Sequence, residues 1–238
     1  MSDTTENNHN ESVEGLSMIQ RLIGILISPG KTFSQIKEKP DWIIPLLVAI
    51  TISISVQIVI KPYFFNSKQY ETTITDLMEK TDMDRDSAEE MMQKNITIAM
   101  PLFALIGTPL ILLLLSGAMF LGGNLVMGGE TSFKHLFSIN AYVGIVGAVG
   151  MLLTLPLIMA KGSTDILTSL AILMPPEADE TILYKLLSLY DVIVIWESVV
   201  AAIGLAIIYN WAQKKANMLV IGMWLIVTVV YGLVLLIS

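Results

Sequence analysis

Residues 100–127 read MPLFALIGTPLILLLLSGAMFLGGNLVM, twenty-eight positions without one acid or base. The hydrocarbon core of a bilayer is about 30 Å thick and an α-helix rises about 1.5 Å per residue, so roughly 20 apolar residues are enough to cross it. This stretch exceeds that length, and with Pro101 and Pro109 inside it the expectation is a tilted or kinked transmembrane helix. Pro109 also frees a backbone carbonyl in mid-membrane, which a neighbouring helix has to satisfy.

Four further apolar runs lie around it, at about 42–60, 139–160, 190–209 and 218–237. The first opens on Trp42 and stops before Lys61-Pro62-Tyr63, residues suited to the two membrane interfaces. With 54% hydrophobic and 15% charged residues overall, the expected fold is all-α: a polytopic helical membrane protein with five transmembrane helices. An N-terminal interfacial helix precedes them. Leu16, Met18, Ile19, Leu22, Ile23, Leu26 and Ile27 fall at helical spacing, too few to span. Ser28-Pro29-Gly30-Lys31 then restarts a helix, with Ser28 as N-cap and Pro29 at its first position, and Pro40 closes it. Residues 1–15 are expected to be a disordered polar tail and 16–238 a single membrane domain.

The polar loop 62–97 predicts two short amphipathic helices with a turn near 81–84. The apolar run 166–174 is short and halted by Pro175-Pro176, so a short interfacial or re-entrant segment is expected there. Ala141, Gly144, Gly147 and Gly150 line one helix face and predict close helix packing rather than a pore lining.

A net charge of −7 with no basic stripe excludes nucleic acid as a partner. The chain has no cysteine and only two histidines, His9 and His135, so no thiolate or multi-histidine metal site is expected, and no cofactor motif is present. Asp82-Met83-Asp84-Arg85-Asp86 opens like a calcium loop, but Ser87 replaces the turn glycine and Gln93 the closing glutamate. Helix-start acids, with Asp86 capping, are the simpler reading. Glu89-Glu90 resembles the paired glutamates of CAAX-type intramembrane proteases only superficially, because it sits in a polar loop. No catalytic residues are assigned, and the chain is expected not to be an enzyme. Glu197, an acid inside the fourth span, is the one candidate intramembrane polar site, with Asn124, Asn140, Gln57 and Asn210 as candidate neighbours.

Three stretches together resemble the Yip family, specifically its prokaryotic branch. RLIGILISPGKTFSQIKEKPDWIIPLL from Arg21 to Leu47 resembles the pre-membrane segment, with Pro29, Phe33 and Trp42 at motif positions. GGETSFKHLFSINAY resembles the glycine-rich inner loop, with Gly128, Gly129 and Phe133; YDVIVIWESVVAAIGL resembles the fourth span, with Asp191 and Trp196. Glu197 stands where relatives are expected to carry a neutral residue. The resemblance implies five membrane helices and a cytoplasmic N-terminus. Eukaryotic members resemble trafficking adaptors, a role whose signature elements are not evident here.

Counting bases gives the same orientation only by density. An N-terminus inside puts seven of the fourteen bases in the cytoplasm, with Lys214 and Lys215 in a very short loop. The expectation is therefore a multi-pass cell-membrane protein with its N-terminus cytoplasmic and its C-terminus outside. Its expected partners are membrane lipids, a membrane or cytoplasmic protein, and a second copy of the chain as a homo-oligomer. The alternative is a small-ion or proton transporter or channel using Glu197.

Overall fold

The computed structural model describes residues 15–179 and 181–237; the expected tail 1–15 lies outside it, except for Gly15. Among the described residues there are ten α-helices and no strand. They are α1 (Met18–Ile27), α2 (Pro29–Glu38), α3 (Ile43–Phe64), α4 (Lys68–Thr81), α5 (Arg85–Lys94), α6 (Met100–Phe120), α7 (Phe133–Lys161), α8 (Ile182–Leu187), α9 (Val192–Ile208) and α10 (Gln213–Ile237).

Four continuous helical stretches are long and apolar enough to cross a membrane: Ile43–Phe64, Arg85–Val126, Phe133–Lys161 and Gln213–Ile237. α9 is shorter, 17 residues, or about 25 Å. It starts short of the α7 C-terminus: Ile193 meets Gly150, eleven residues before α7 stops, and Asp191, just before α9, pairs with Ser169 of the segment that returns from α7. Its last turn leads to Tyr209 against Gly123 and Gly129, before the start of α7. The chain is a polytopic helical membrane protein.

The second span is the apolar part of a 42-residue rod in which α5 continues into α6 through a π-helical turn, Asn95–Ala99, and α6 into a second, Leu121–Val126. Pro101 has no N–H to give and its ring crowds the preceding turn, and the wider π turn falls immediately before it. The polar loop over 62–97 holds two short helices, α4 and α5, with their turn at Asp82, as expected; α5 differs in running on into the span without a break.

α7 is the central element, packed against α3, α6 and α9, with α10 packed on α9. Its small residues explain that position. Gly144 lies 3.6 Å from Ala49 Cβ where a Cβ would be placed, while Cβ atoms at Gly147 and Gly150 would overlap Glu197 and Ile193 of α9. The stripe that predicts close packing is occupied within the chain on two sides.

α1 and α2 close one end of the bundle. Ser17 and Gln20 form a reciprocal capping box that starts α1. Ile25 is fully buried, whereas Ile19, Ile23 and Ile27 remain 69%, 54% and 76% exposed, four residues apart along the opposite face. α2 begins with Pro29 at its first position, but the Ser28 side chain makes no capping bond. Its backbone φ of −147° and ψ of 58° lie outside the extended conformation usual for a side-chain cap. Phe33 and Ile36 are fully buried, with the Phe33 ring against Gly204 of α9.

The other end carries α4 and α5 as a helical hairpin with its own small core of Tyr70, Ile74, Ala88, Met92 and Ile96. Phe64 and Phe65 meet Tyr70 edge-on at 5.9 and 5.2 Å between ring centres. Asp82 makes the turn at φ 54°, and Asp84, not Asp86, caps α5 by accepting from the Ser87 N–H at 2.8 Å. The helix starts at Arg85, so only the residue before it can reach that amide. Residues 166–174 are not a continuous helix. Apart from a 3-10 turn at Leu170–Leu173 they are irregular, tied back through the Ser169–Asp191 bridge.

Candidate functional site

Glu197 sits on the face of α9 that meets α7. Its Oε1 fills the space left by the missing side chain of Gly147. Beside it, between α6, α7, α9 and α10, lies a cavity of about 380 Å³ whose lining includes Asn140, Glu197, Ser198, Met119 and Trp224. Among the described residues, Glu197 is the only ionisable one in that lining. Asn140 donates from Nδ2 to Ser116 Oγ at 2.9 Å, and Ser116 in turn donates to the Leu112 carbonyl at 2.6 Å. Trp224 Nε1 donates to Ser198 Oγ at 2.8 Å and joins α10 to α9. Among the described residues no donor bonds the Glu197 carboxylate.

Of the neighbours expected for Glu197, only Asn140 shares its cavity. Asn124 and Asn210 lie at the end of the bundle that holds α1 and α2, bonded to Tyr209 and Lys37 respectively. Gln57 belongs to α3, with its Oε1 buried and without a partner. These are sequence-distant positions whose polarity alone carries no information on which helix faces which.

The motif residues converge on packing at the two bundle ends. Gly128 takes φ 62°, a conformation that favours glycine. A Cβ on Gly129 would come within 2.5 Å of both Trp211 Cζ2 and Tyr209 Cδ1, so Gly129 forms a seat for two rings. Those rings stack at 4.2 Å and 12°, and Lys215 Nζ lies 4.3 Å over Trp211. Tyr209 OH donates to Asn124 Oδ1 at 2.7 Å while Asn124 Nδ2 donates to the Thr131 carbonyl at 2.9 Å. Trp42 meets Phe137 edge-on at 5.1 Å, and Phe133 stacks on Phe137 at 6.3 Å. Asp191 caps α9, accepting from the Ile193 N–H at 2.7 Å, and also bonds the Thr168 hydroxyl. Trp196 packs against the main core.

Two arrangements at the same end escaped the sequence reading. Arg21 of α1 donates to Asp41 at 2.9 Å, and Tyr142, fully buried in α7, donates to the same carboxylate at 3.1 Å. His135 Nε2 lies 3.1 Å from the Lys37 carbonyl and must donate to it, so Nδ1 accepts from Ser132 Oγ at 2.7 Å. Ser132 is also the N-cap of α7, so this serine–histidine contact is a helix start that holds α2 in place. Asp41 beside Trp42 was the available signal: a carboxylate at a span entry needs a partner.

A bundle of apolar helices with buried polar contacts at its ends and one unpaired acid in its interior defines an integral membrane protein without an assembled reactive centre among the described residues. The Yip1 domain matches residues 23–236, and the chain belongs to that family. It is similar to Membrane protein YknW of Bacillus subtilis (strain 168), 25% identical over 244 residues that cover 100% of this chain and 95% of that one. No solved structure matches it.

Proposed function

We propose that the chain is a non-enzymatic membrane protein that acts through contacts with lipids and with a membrane or cytoplasmic protein, in membrane organisation or a trafficking-like process. The observation that carries this reading is where the motif positions go. Pro29, Phe33, Trp42, Gly128, Gly129, Phe133, Asp191 and Trp196 shape helix ends and helix contacts, and none lines the Glu197 cavity. The outward apolar stripe of α1 adds a surface suited to the membrane interface. The N-terminus lies in the cytoplasm and the C-terminus outside. Affinity capture of the full chain in mild detergent tests the functional reading, with co-purifying protein and lipid as the expected result. Recovery of neither would overturn it. Orientation is read separately with single cysteines, since the chain has none of its own. Lys80→Cys labels from outside with an impermeant maleimide, and Lys215→Cys only after permeabilisation.

A second reading is favoured by the unpaired Glu197 carboxylate beside the cavity of about 380 Å³. In it, Glu197 exchanges a proton or small cation with Asn140 as its polar neighbour. Flux by the protein reconstituted in vesicles, abolished by Glu197→Gln, supports this reading; no flux, or flux untouched by the substitution, sinks it.

A further inference from the structure

A second, larger cavity of about 640 Å³ lies between α9 and α10, outside the bundle interior. The Trp224–Ser198 hydrogen bond forms part of its floor, and both residues also line the Glu197 cavity behind it. Its lining runs from Tyr190, just before α9, to Ile203 of α9, and on α10 from Gln213 to Leu225. Thirteen residues of rise make a groove about 20 Å long, against about 15 Å for the hydrocarbon of one leaflet. Ile195, Val199, Ile221 and Leu225, also in its lining, are 40%, 54%, 58% and 58% exposed on the apolar flank of the bundle. The groove therefore opens sideways, toward lipid.

Its two ends differ in chemistry. At the end where α10 begins, Gln213 Nε2 donates to Asn217 Oδ1 at 2.8 Å, which leaves the Asn217 amide nitrogen free to donate at the mouth. Lys214, next to Gln213, is exposed and has no acidic partner among the described residues. From residue 198 to the end the chain carries Lys214 and Lys215 and no acid. Gly30 approaches Ile207, one turn beyond Ile203 of the groove, and brings Lys31 to the same end.

We propose that this groove holds one anionic phospholipid, with an acyl chain along α9 and α10 and its phosphate-bearing headgroup at Asn217 and Lys214. This rests on the lipid-contact part of the reading above and names the lipid class and its place. An amide donor and a lysine at one end of an apolar slot match a headgroup above an acyl chain, and two lysines with no acid from residue 198 onward favour an anionic one.

The test uses the full chain in phosphatidylcholine vesicles containing either dibromo-acyl phosphatidylglycerol or dibromo-acyl phosphatidylcholine. Tryptophan quenching is read, and Trp224→Phe isolates the Trp224 contribution. Half-quenching of Trp224 is expected at about five-fold lower mole fraction of the brominated anionic lipid. Lys214→Gln should bring the two lipids together. Val199→Phe, at an exposed rim that tolerates bulk, should weaken Trp224 quenching by both. Equal midpoints for the two lipids in the wild type, or a preference unchanged by Lys214→Gln, would overturn the proposal. So would weak quenching by both accompanied by a Trp224-dependent dimer, which puts a second copy in the groove. A chain that shows no lipid preference yet still co-purifies with a protein partner sinks the groove alone and leaves the broader reading standing.

Discussion

Glu197 of α9 and Gly147 of α7 are a matched pair: the carboxylate oxygen of one stands where the side chain of the other would begin. The acid is thus held against a neighbouring backbone and not merely tolerated in a lipid-filled gap. Gly147→Ala is expected to destabilise the protein by about 1–3 kcal/mol through overpacking. In a Glu197→Ala background most of that loss should disappear. Denaturation of the four chains of this cycle in mixed detergent measures it, and equal losses in both backgrounds would refute the pairing.

Tyr209 and Gly129 make the corresponding contact at the α1–α2 end. Tyr209→Phe removes the bond to Asn124 and keeps the ring stack, so a loss of about 1 kcal/mol is expected. Gly129→Ala should cost more, because it displaces both rings. The ordering of the two variants in the same unfolding assay is the check.

Trp224 and Ser198 join α10 to α9 through a single hydrogen bond in the apolar region. Such bonds within membranes average about 0.6 kcal/mol in double-mutant cycles. The cycle of Trp224→Phe and Ser198→Ala should return a coupling of that order, and zero coupling would place the indole N–H elsewhere.

Arg21 and Asp41 are only 15% and 24% exposed, and Tyr142 shares the carboxylate. Asp41→Ala leaves Arg21 half-buried without its partner. A loss of about 2–3 kcal/mol is expected, at or below the low end for breaking a fully buried pair because both groups reach water. Restoring wild-type stability by Arg21→Met in the Asp41→Ala background identifies the stranded charge as the cause.

The α4–α5 hairpin should loosen in acid. Ser87 holds the Asp84 carboxyl below its usual value of 3.8, first through its backbone N–H. A depressed folded pKa means the contribution is complete above the unfolded value and is lost as pH falls through the folded one. Protection of the amides over 68–94, read as exchange relative to the unstructured chain at the same pH, should therefore fall below about pH 4 while that of α7 stays high. Ser67→Ala, which removes the buried cap of α4, should cost about 1 kcal/mol at neutral pH.

Several features are legible in the chain because they depend on neighbours in sequence. The apolar runs mark the helices that cross, Pro29 marks the start of α2, and the small residues from Ala141 to Gly150 mark a close-packed face. The boundaries were less legible. α7 begins at Phe133, six residues before its apolar run, and α5 flows into the second span through a π turn. A polar first turn is hidden from a hydropathy reading, since hydropathy registers lipid contact and not backbone hydrogen bonding.

By itself the sequence determined that this protein lives in a membrane as helices, that Glu197 lies among them, and, by motif order, to which family the chain belongs. Only the tertiary structure decided what each face meets: Gly147 for Glu197, Gly129 for Tyr209, Asp41 for Tyr142, and the groove between α9 and α10. The physical reason lies in the solvent. In a bilayer, lipid-facing and helix-facing positions are equally apolar, so the periodic pattern that marks a buried face in water is absent, and partners are chosen by shape and by a few hydrogen bonds between residues far apart in the chain.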